Sequence, residues 1–167
     1  MKYFEADGHI KLRFAEEKDS AIIVEFIRNL AEYEHLLDTV KIKEADIKKY
    51  VFDKKLIEVI IAEYDGIPAG FALFFHNFST FLGKPGIFIE DIFVKPEFRS
   101  KGLGKYLFSF LAKIAIERDC GRLEWSCLDW NKSSIDFYKA QGAHPLDEWT
   151  TYRLAYDEIK KLAESCF

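Results

Sequence analysis

Ile87-Phe-Ile-Glu-Asp-Ile-Phe-Val94, followed by Lys95-Pro-Glu-Phe-Arg-Ser-Lys-Gly-Leu-Gly104, is the stretch on which the reading of this chain turns. The first eight residues are too apolar for a strand with one wet face, so both faces should be covered. Pro96 donates no hydrogen bond and keeps Lys95 out of the helical region, so the strand should stop there. From Leu107 the apolar residues Leu107, Phe108, Leu111, Ala112, Ile114 and Ala115 recur at helical spacing. Gly102 and Gly104 therefore fall where a loop becomes a helix. Glycine lets backbone approach a ligand closely, and the free amides of a helix start favour an anion. Arg99, Lys101 and Lys105 add positive charge at the same place. The segment reads as a phosphate-binding turn.

Spacing narrows the phosphate. No Gly-x4-Gly-Lys-Ser/Thr is present, and Gly102-Leu-Gly104-Lys-Tyr-Leu107 lacks the third glycine of a dinucleotide fingerprint. Within the strand, Glu90 and Asp91 are adjacent carboxylates. Ideal alternation would put one on each face and bury at least one charge, at a cost of several kcal/mol unless compensated. A bulge at this point would relieve that cost and free backbone amides. The pair reads either as a buried ion-pair partner or as a general base.

Outward from this segment, the chain has 167 residues, enough for one domain with a real core. The net charge of −4 speaks against a nucleic-acid face and mildly for a cationic partner. Cys120, Cys127 and Cys166 are odd in number, lack metal spacing and read as reduced thiols of a cytoplasmic protein. No metal site is expected. No stretch is long enough to span a membrane, and Met1-Lys-Tyr-Phe-Glu-Ala-Asp7 lacks a signal-peptide pattern.

In order, strands are expected at 10–14, 57–64, 69–75, 87–94, 122–129 and 150–155. Helices are expected at 16–33, 43–52, from about 103 to 119, 132–141 and 157–165. Asp65-Gly66 signals a hairpin and Pro68 should open its second strand. Ile47, Tyr50 and Val51 should point inward, Gly121 should cap the long helix, and Asn131 should cap the short one that Gly142 ends. The expectation is one α/β (α+β) domain over 1–167, with a mixed, mostly antiparallel central sheet flanked by helices.

Arg99-Ser-Lys-Gly102-Leu-Gly104, placed just after Glu90-Asp91-Ile-Phe-Val94, resembles motif A of the GCN5-related N-acetyltransferases, Arg/Gln-x-x-Gly-x-Gly/Ala. Asn131-Lys-Ser-Ser-Ile-Asp-Phe-Tyr138-Lys-Ala-Gln-Gly142-Ala143 resembles a later segment of the same family. The resemblance implies acetyl-coenzyme A as co-substrate, held by Ile92, Phe93, Val94, Arg99, Ser100, Lys101, Gly102, Leu103, Gly104, Lys105, Asn131, Ser134 and Tyr138. It implies Glu90 as the base that deprotonates an amine and Tyr138 as the acid for the departing thiolate. Spacing alone leaves Tyr138 open, because Ile135 and Tyr138 lie one helical step apart and could both be core.

Leu30-Ala-Glu-Tyr-Glu34, Ile89-Glu-Asp-Ile-Phe-Val94, Leu128-Asp-Trp-Asn131 and Phe137-Tyr-Lys-Ala-Gln-Gly-Ala143 together resemble the spermidine/spermine N1-acetyltransferase group, particularly its thialysine-acetylating branch. That likeness implies a small diamine, polyamine or lysine analogue as acceptor. Its pocket would use Tyr33, Glu34, Glu90 and Asp91, with Glu124 and Glu148 as weaker members. It also implies a homodimer. Ser100 stands where many members carry glycine. Two other classes compete: an acyl-coenzyme A sensor without turnover, and a nucleotide-dependent oxidoreductase with Glu124 as its ribose acid.

Overall fold

The computed structural model describes residues 3–6 and 8–165. The opening segment read for targeting therefore falls partly outside the described residues, and Cys166 lies wholly outside them. Two compact units are present, Met1–Ser126 and Cys127–Phe167.

The first unit is built on a six-stranded sheet in the order β1 (Tyr3–Ala6), β2 (Ile10–Phe14), β3 (Glu58–Tyr64), β4 (Ile67–Ser79), β5 (Lys84–Val94) and β6 (Leu123–Trp125). Every neighbouring pair is antiparallel except β5 and β6, which run parallel. β3 and β4 are joined by Asp65 and Gly66, both at positive φ, as a tight hairpin of that twist needs.

Alternation sorts the side chains to two faces. On one, Val59, Ile61, Phe71, Leu73 and Phe93 pack with Ile23 and Phe26 of α1 (Ser20–Tyr33) and with Ile47 of α2 (Glu44–Ile47). Phe26 and Phe71 stack at 5.3 Å there. On the other, Phe14 meets Phe110 of α3 (Leu103–Glu117), whose Leu107, Leu111 and Ile114 are buried. Covering both faces is what the apolar run 87–94 required.

An ionic cluster fixes where α1 begins. Arg13 donates from Nη1 to Asp19 Oδ2 at 2.7 Å and from Nε to Glu63 Oε1 at 2.7 Å, while Asp19 also accepts from the Glu16 amide at 2.7 Å. Burial opposes the charge of Asp19. The Arg13 hydrogen bond and the Glu16 amide outweigh it and hold the carboxyl below its usual range.

Several expectations are corrected. The first helix starts at Ser20 rather than Glu16, because Glu17–Asp19 form a tighter 3-10 turn. The helix expected over 43–52 is regular only through Ile47 and widens into a π-type turn over Lys48–Asp53, which turns Tyr50 outward beneath Lys49 and Lys54. Asp119, not Gly121, supplies the left-handed residue after α3. Gly121 is constrained by space instead, since a Cβ there would lie 3.2 Å from Leu82 Cδ1. β6 covers Leu123–Trp125 only, and β1 was not anticipated.

In the second unit, α4 (Lys132–Ala140) is capped by Asn131, whose Oδ1 accepts from the Ser134 amide at 3.3 Å. Gly142 ends it at φ +89°. Residues 150–155 form no strand and are exposed, and α5 (Tyr156–Glu164) follows them.

Candidate active site

The site grows from a fault in the β4–β5 ladder. Leu73 faces Asp91 and the next residue, Phe74, faces Ile89, so Glu90 is the extra residue of a bulge. A bulge shifts the alternation by one. Ile87 and Ile89 are thereby buried with Phe74, whereas Phe93 joins Phe71 and Leu73 on the α1 side. Glu90 and Asp91 both reach a single cavity on that side. The bulge expected from the carboxylate pair is present, and it brings the two acids together instead of separating them.

The cavity measures about 350 Å3. Ile27 of α1, Val40 and Ile42 before α2, Ile57 before β3, and Leu73 and Phe75 of β4 give it apolar walls, with Lys41 as a cation on its lining. Glu90 is exposed and Asp91 half-buried. Burial, then the charges of Glu90 and Glu34, push the Asp91 carboxyl up to about 6. Burial also raises Glu34, which follows the last turn of α1. A second groove of about 400 Å3, on the outer side of α1 around Val24, Arg28 and Leu37, has no such acid pair on a strand.

Beyond the bulge, β5 loses its neighbour. It pairs with β6 only through Ile87, Phe88 and Ile89, so Ile92, Phe93 and Val94 have no strand partner on that side among the described residues. A 3-10 turn at Pro96–Phe98 then leads to Ser100 and Gly102, at φ +62° and +88°, and Gly102 is the N-cap of α3. The first amides of Leu103, Gly104 and Lys105 are those a helix leaves free. An open strand edge feeding a glycine-capped helix start fits a ligand that brings an amide chain to the strand and a phosphate to the helix.

The cations of this turn lie on aromatic rings. The Arg99 guanidinium sits 4.8 Å from the Tyr33 ring centre and 5.7 Å from that of Phe93, and its Nε donates to the Val94 carbonyl at 3.1 Å. Lys101 Nζ lies 4.4 Å from the Tyr64 ring and 5.1 Å from that of Phe98. Lys105 is exposed on the first turn of α3.

Glu124, also expected at the site, is not among the residues that line this cavity. Glu124 accepts from Asn77 Nδ2 at 2.7 Å and pairs with Arg122 Nε at 2.9 Å. That polar cluster joins β4 to β6 and already engages its charge. Asn131, Ser134, Tyr138 and Glu148 belong to the second unit. There Asn131 is buried, Ser134 and Tyr138 are half-buried, Phe137 and Tyr138 meet edge-on at 5.7 Å, and Glu148 is exposed.

Against this geometry, the acetyltransferase (GNAT) family model matches residues 24–143. The chain belongs to the GNAT family. A thialysine N-epsilon-acetyltransferase from Bos taurus is 36% identical over 166 residues, spanning 92% of this chain and 97% of that one. An L-ornithine N5-acetyltransferase from Arabidopsis thaliana is 40% identical over 121 residues, 72% of this chain and 50% of its own length. Among solved structures, an integron cassette protein from the mobile metagenome of V. cholerae superposes with a TM-score of 0.79 at 28% identity, covering 94% of this chain and 99% of that one.

This GNAT protein is an acetyl-coenzyme A-dependent N-acetyltransferase acting on amines. The oxidoreductase alternative falls with that finding. Within the GNAT frame the left-handed φ of Ser100 accounts for the glycine that many members carry there. Lys41 was missed by sequence reasoning. Val40-Lys41-Ile42 shows only a charged residue between apolar ones, the pattern of any solvent-facing position. Among the described residues no group of His, Cys, Asp and Glu is placed to hold a metal ion, and no helix is long and apolar enough to cross a membrane.

Proposed function

We propose that the chain works as a single 1–167 domain. In this reading it moves the acetyl group of acetyl-coenzyme A directly to a primary amine of a small substrate that carries a second positive charge. Thialysine, related lysine analogues and short diamines are the intended acceptors. One observation carries the proposal: a single bulge delivers Glu90 and Asp91 to one apolar-walled cavity, with Glu34 close enough to raise Asp91. The likeness to a thialysine N-epsilon-acetyltransferase over nearly the whole chain supports the same class of acceptor.

An alkylamine has a pKa of ~10.4 and must lose a proton before it attacks a thioester. Glu90, exposed at the cavity, takes that proton, directly or through water. The amine nitrogen bonds to the carbonyl carbon and the carbon–sulfur bond breaks. Amides of Ile92 to Val94 polarise the carbonyl, the start of α3 with Arg99, Ser100, Lys101 and Lys105 holds the phosphates, and Tyr138 returns a proton to the thiolate. Asn131 and Ser134 touch the cofactor through the same motif. Asp91 and Glu34 hold the distal cation, and Tyr33 frames the pocket. A second reading exchanges the two acids: with its pKa near 6, Asp91 is closer to the working pH of a base. We also carry a homodimer and a cytoplasmic location as parts of the proposal.

The test follows free thiol from acetyl-coenzyme A with thialysine in wild type, Glu90→Gln and Asp91→Asn. Glu90→Gln should lower turnover by about 10² or more, as for a lost general base. Full turnover there with loss in Asp91→Asn would move the base to Asp91. Cofactor binding without thiol release from any amine would leave a sensor instead.

A further inference from the structure

We propose that Lys41 receives the carboxylate of an amino-acid acceptor, so that the pocket selects α,ω-diamino acids over diamines of the same length. This rests on the acetyl transfer proposed above and names which of its candidate acceptors the site is built to hold.

The cavity has two carboxylates, Glu90 and Asp91, on β5, and an ammonium, Lys41, on the segment before α2. Ile27, Ile57 and Leu73 give the same cavity apolar walls. Lys41 forms no ion pair with either acid and, among the described residues, none with any other carboxylate. Its charge lies on the cavity lining and is not spent within the protein.

A lysine-like acceptor carries two ammonium groups, an apolar stem and one carboxylate. Those charges are the complement of two carboxylates and one ammonium. A diamine satisfies the acids equally well but leaves Lys41 unmatched, and a longer polyamine would bring a further cation toward it. Like charges brought together reject the wrong ligand, while the matched pair favours the right one. Lys41 thus acts on specificity rather than on the chemical step.

The experiment compares thialysine with bis(2-aminoethyl) sulfide, which is the same molecule without its carboxylate. KM for each is measured by thiol release in wild type, Lys41→Gln and Lys41→Arg. Because Lys41 is exposed, the pair is partly solvated and the effect should be moderate, roughly three- to tenfold. In Lys41→Gln the thialysine KM should rise by that factor while the diamine KM stays or falls, and Lys41→Arg should restore the preference. No change, or an equal change for both acceptors, would overturn the assignment while leaving the transferase reading in place. If wild type acetylates neither compound, the acceptor class proposed above is wrong. Calorimetric titration of thialysine into wild type and Lys41→Gln then decides the binding role separately, with equal affinity refuting it.

Discussion

The Arg99 guanidinium lies 4.8 Å from the centre of the Tyr33 ring. A residue of the proposed cofactor turn is thereby seated on a residue of the proposed acceptor pocket, at the end of α1. Such a contact contributes about 0.5–1 kcal/mol at an exposed site. Tyr33→Phe keeps the ring and should leave acetyl-coenzyme A affinity near wild type. Tyr33→Ala should weaken it by about two- to fivefold by freeing Arg99. Calorimetry with the cofactor alone checks this, and equal affinity in both variants would disconnect the two residues.

Asp91 gives a pH dependence. Its folded carboxyl titrates near 6, above its ordinary value of 3.8, because burial and the charges of Glu90 and Glu34 disfavour ionisation. The folded state therefore holds the proton more tightly than the unfolded one. The stability this contributes is fully present below about 3.8 and is lost as pH rises through about 6. Asp91→Asn should be more stable than wild type at pH 8, by roughly 1–2 kcal/mol, with the difference shrinking toward pH 4. Urea melts at the two pH values measure it. Turnover in wild type should rise through pH 6 as Asp91 ionises, and Asp91→Asn should lose that limb.

Ser100 is held at φ +62°, a conformation that costs a side-chain-bearing residue about 1 kcal/mol or more. Ser100→Gly should stabilise the fold by a few tenths to about 1 kcal/mol, the strain relieved being partly offset by glycine's greater unfolded entropy. Gly102, at φ +88° with Tyr106 Cε2 3.3 Å from any added Cβ, should tolerate no such exchange in reverse. Gly102→Ala should cost about 1–2 kcal/mol in thermal stability even without cofactor. Measuring both variants with and without acetyl-coenzyme A separates strain in the turn from loss of the ligand.

Tyr138→Phe removes one hydroxyl and little volume. Cofactor affinity should remain near wild type while turnover falls by about 10² or more. Unchanged turnover would leave the ring, edge-on to Phe137, as a packing element of α4.

What the sequence disclosed follows from where the physics is local. The end of β5 before Pro96, the Asp65-Gly66 hairpin, the start of α3 at Gly102 and the Asn131 cap each depend on a residue and its near neighbours. The bulge at Glu90 was legible too, because two adjacent acids in an apolar strand are too costly to alternate. Strands that depend on a partner were not. Tyr3-Phe-Glu-Ala6 is strand because β2 pairs with it, and Thr150 to Ala155, rich in β-prone residues, stays irregular without a pairing strand. Arg99 and Lys101 were read for their charge alone. Their seats on Tyr33 and Tyr64 join residues far apart in the chain, which no local pattern encodes.

The central claim is that the acids gathered by the β5 bulge, together with Glu34 at the end of α1, choose an amine with a second cation. The most direct measurement is kcat/KM for thialysine against butylamine, by thiol release, in wild type and Glu34→Gln. Wild type should prefer thialysine by at least tenfold, about 1.4 kcal/mol, and Glu34→Gln should raise the thialysine KM while barely moving that of butylamine. Equal kcat/KM for the two amines in wild type, or an equal loss for both in Glu34→Gln, would contradict it.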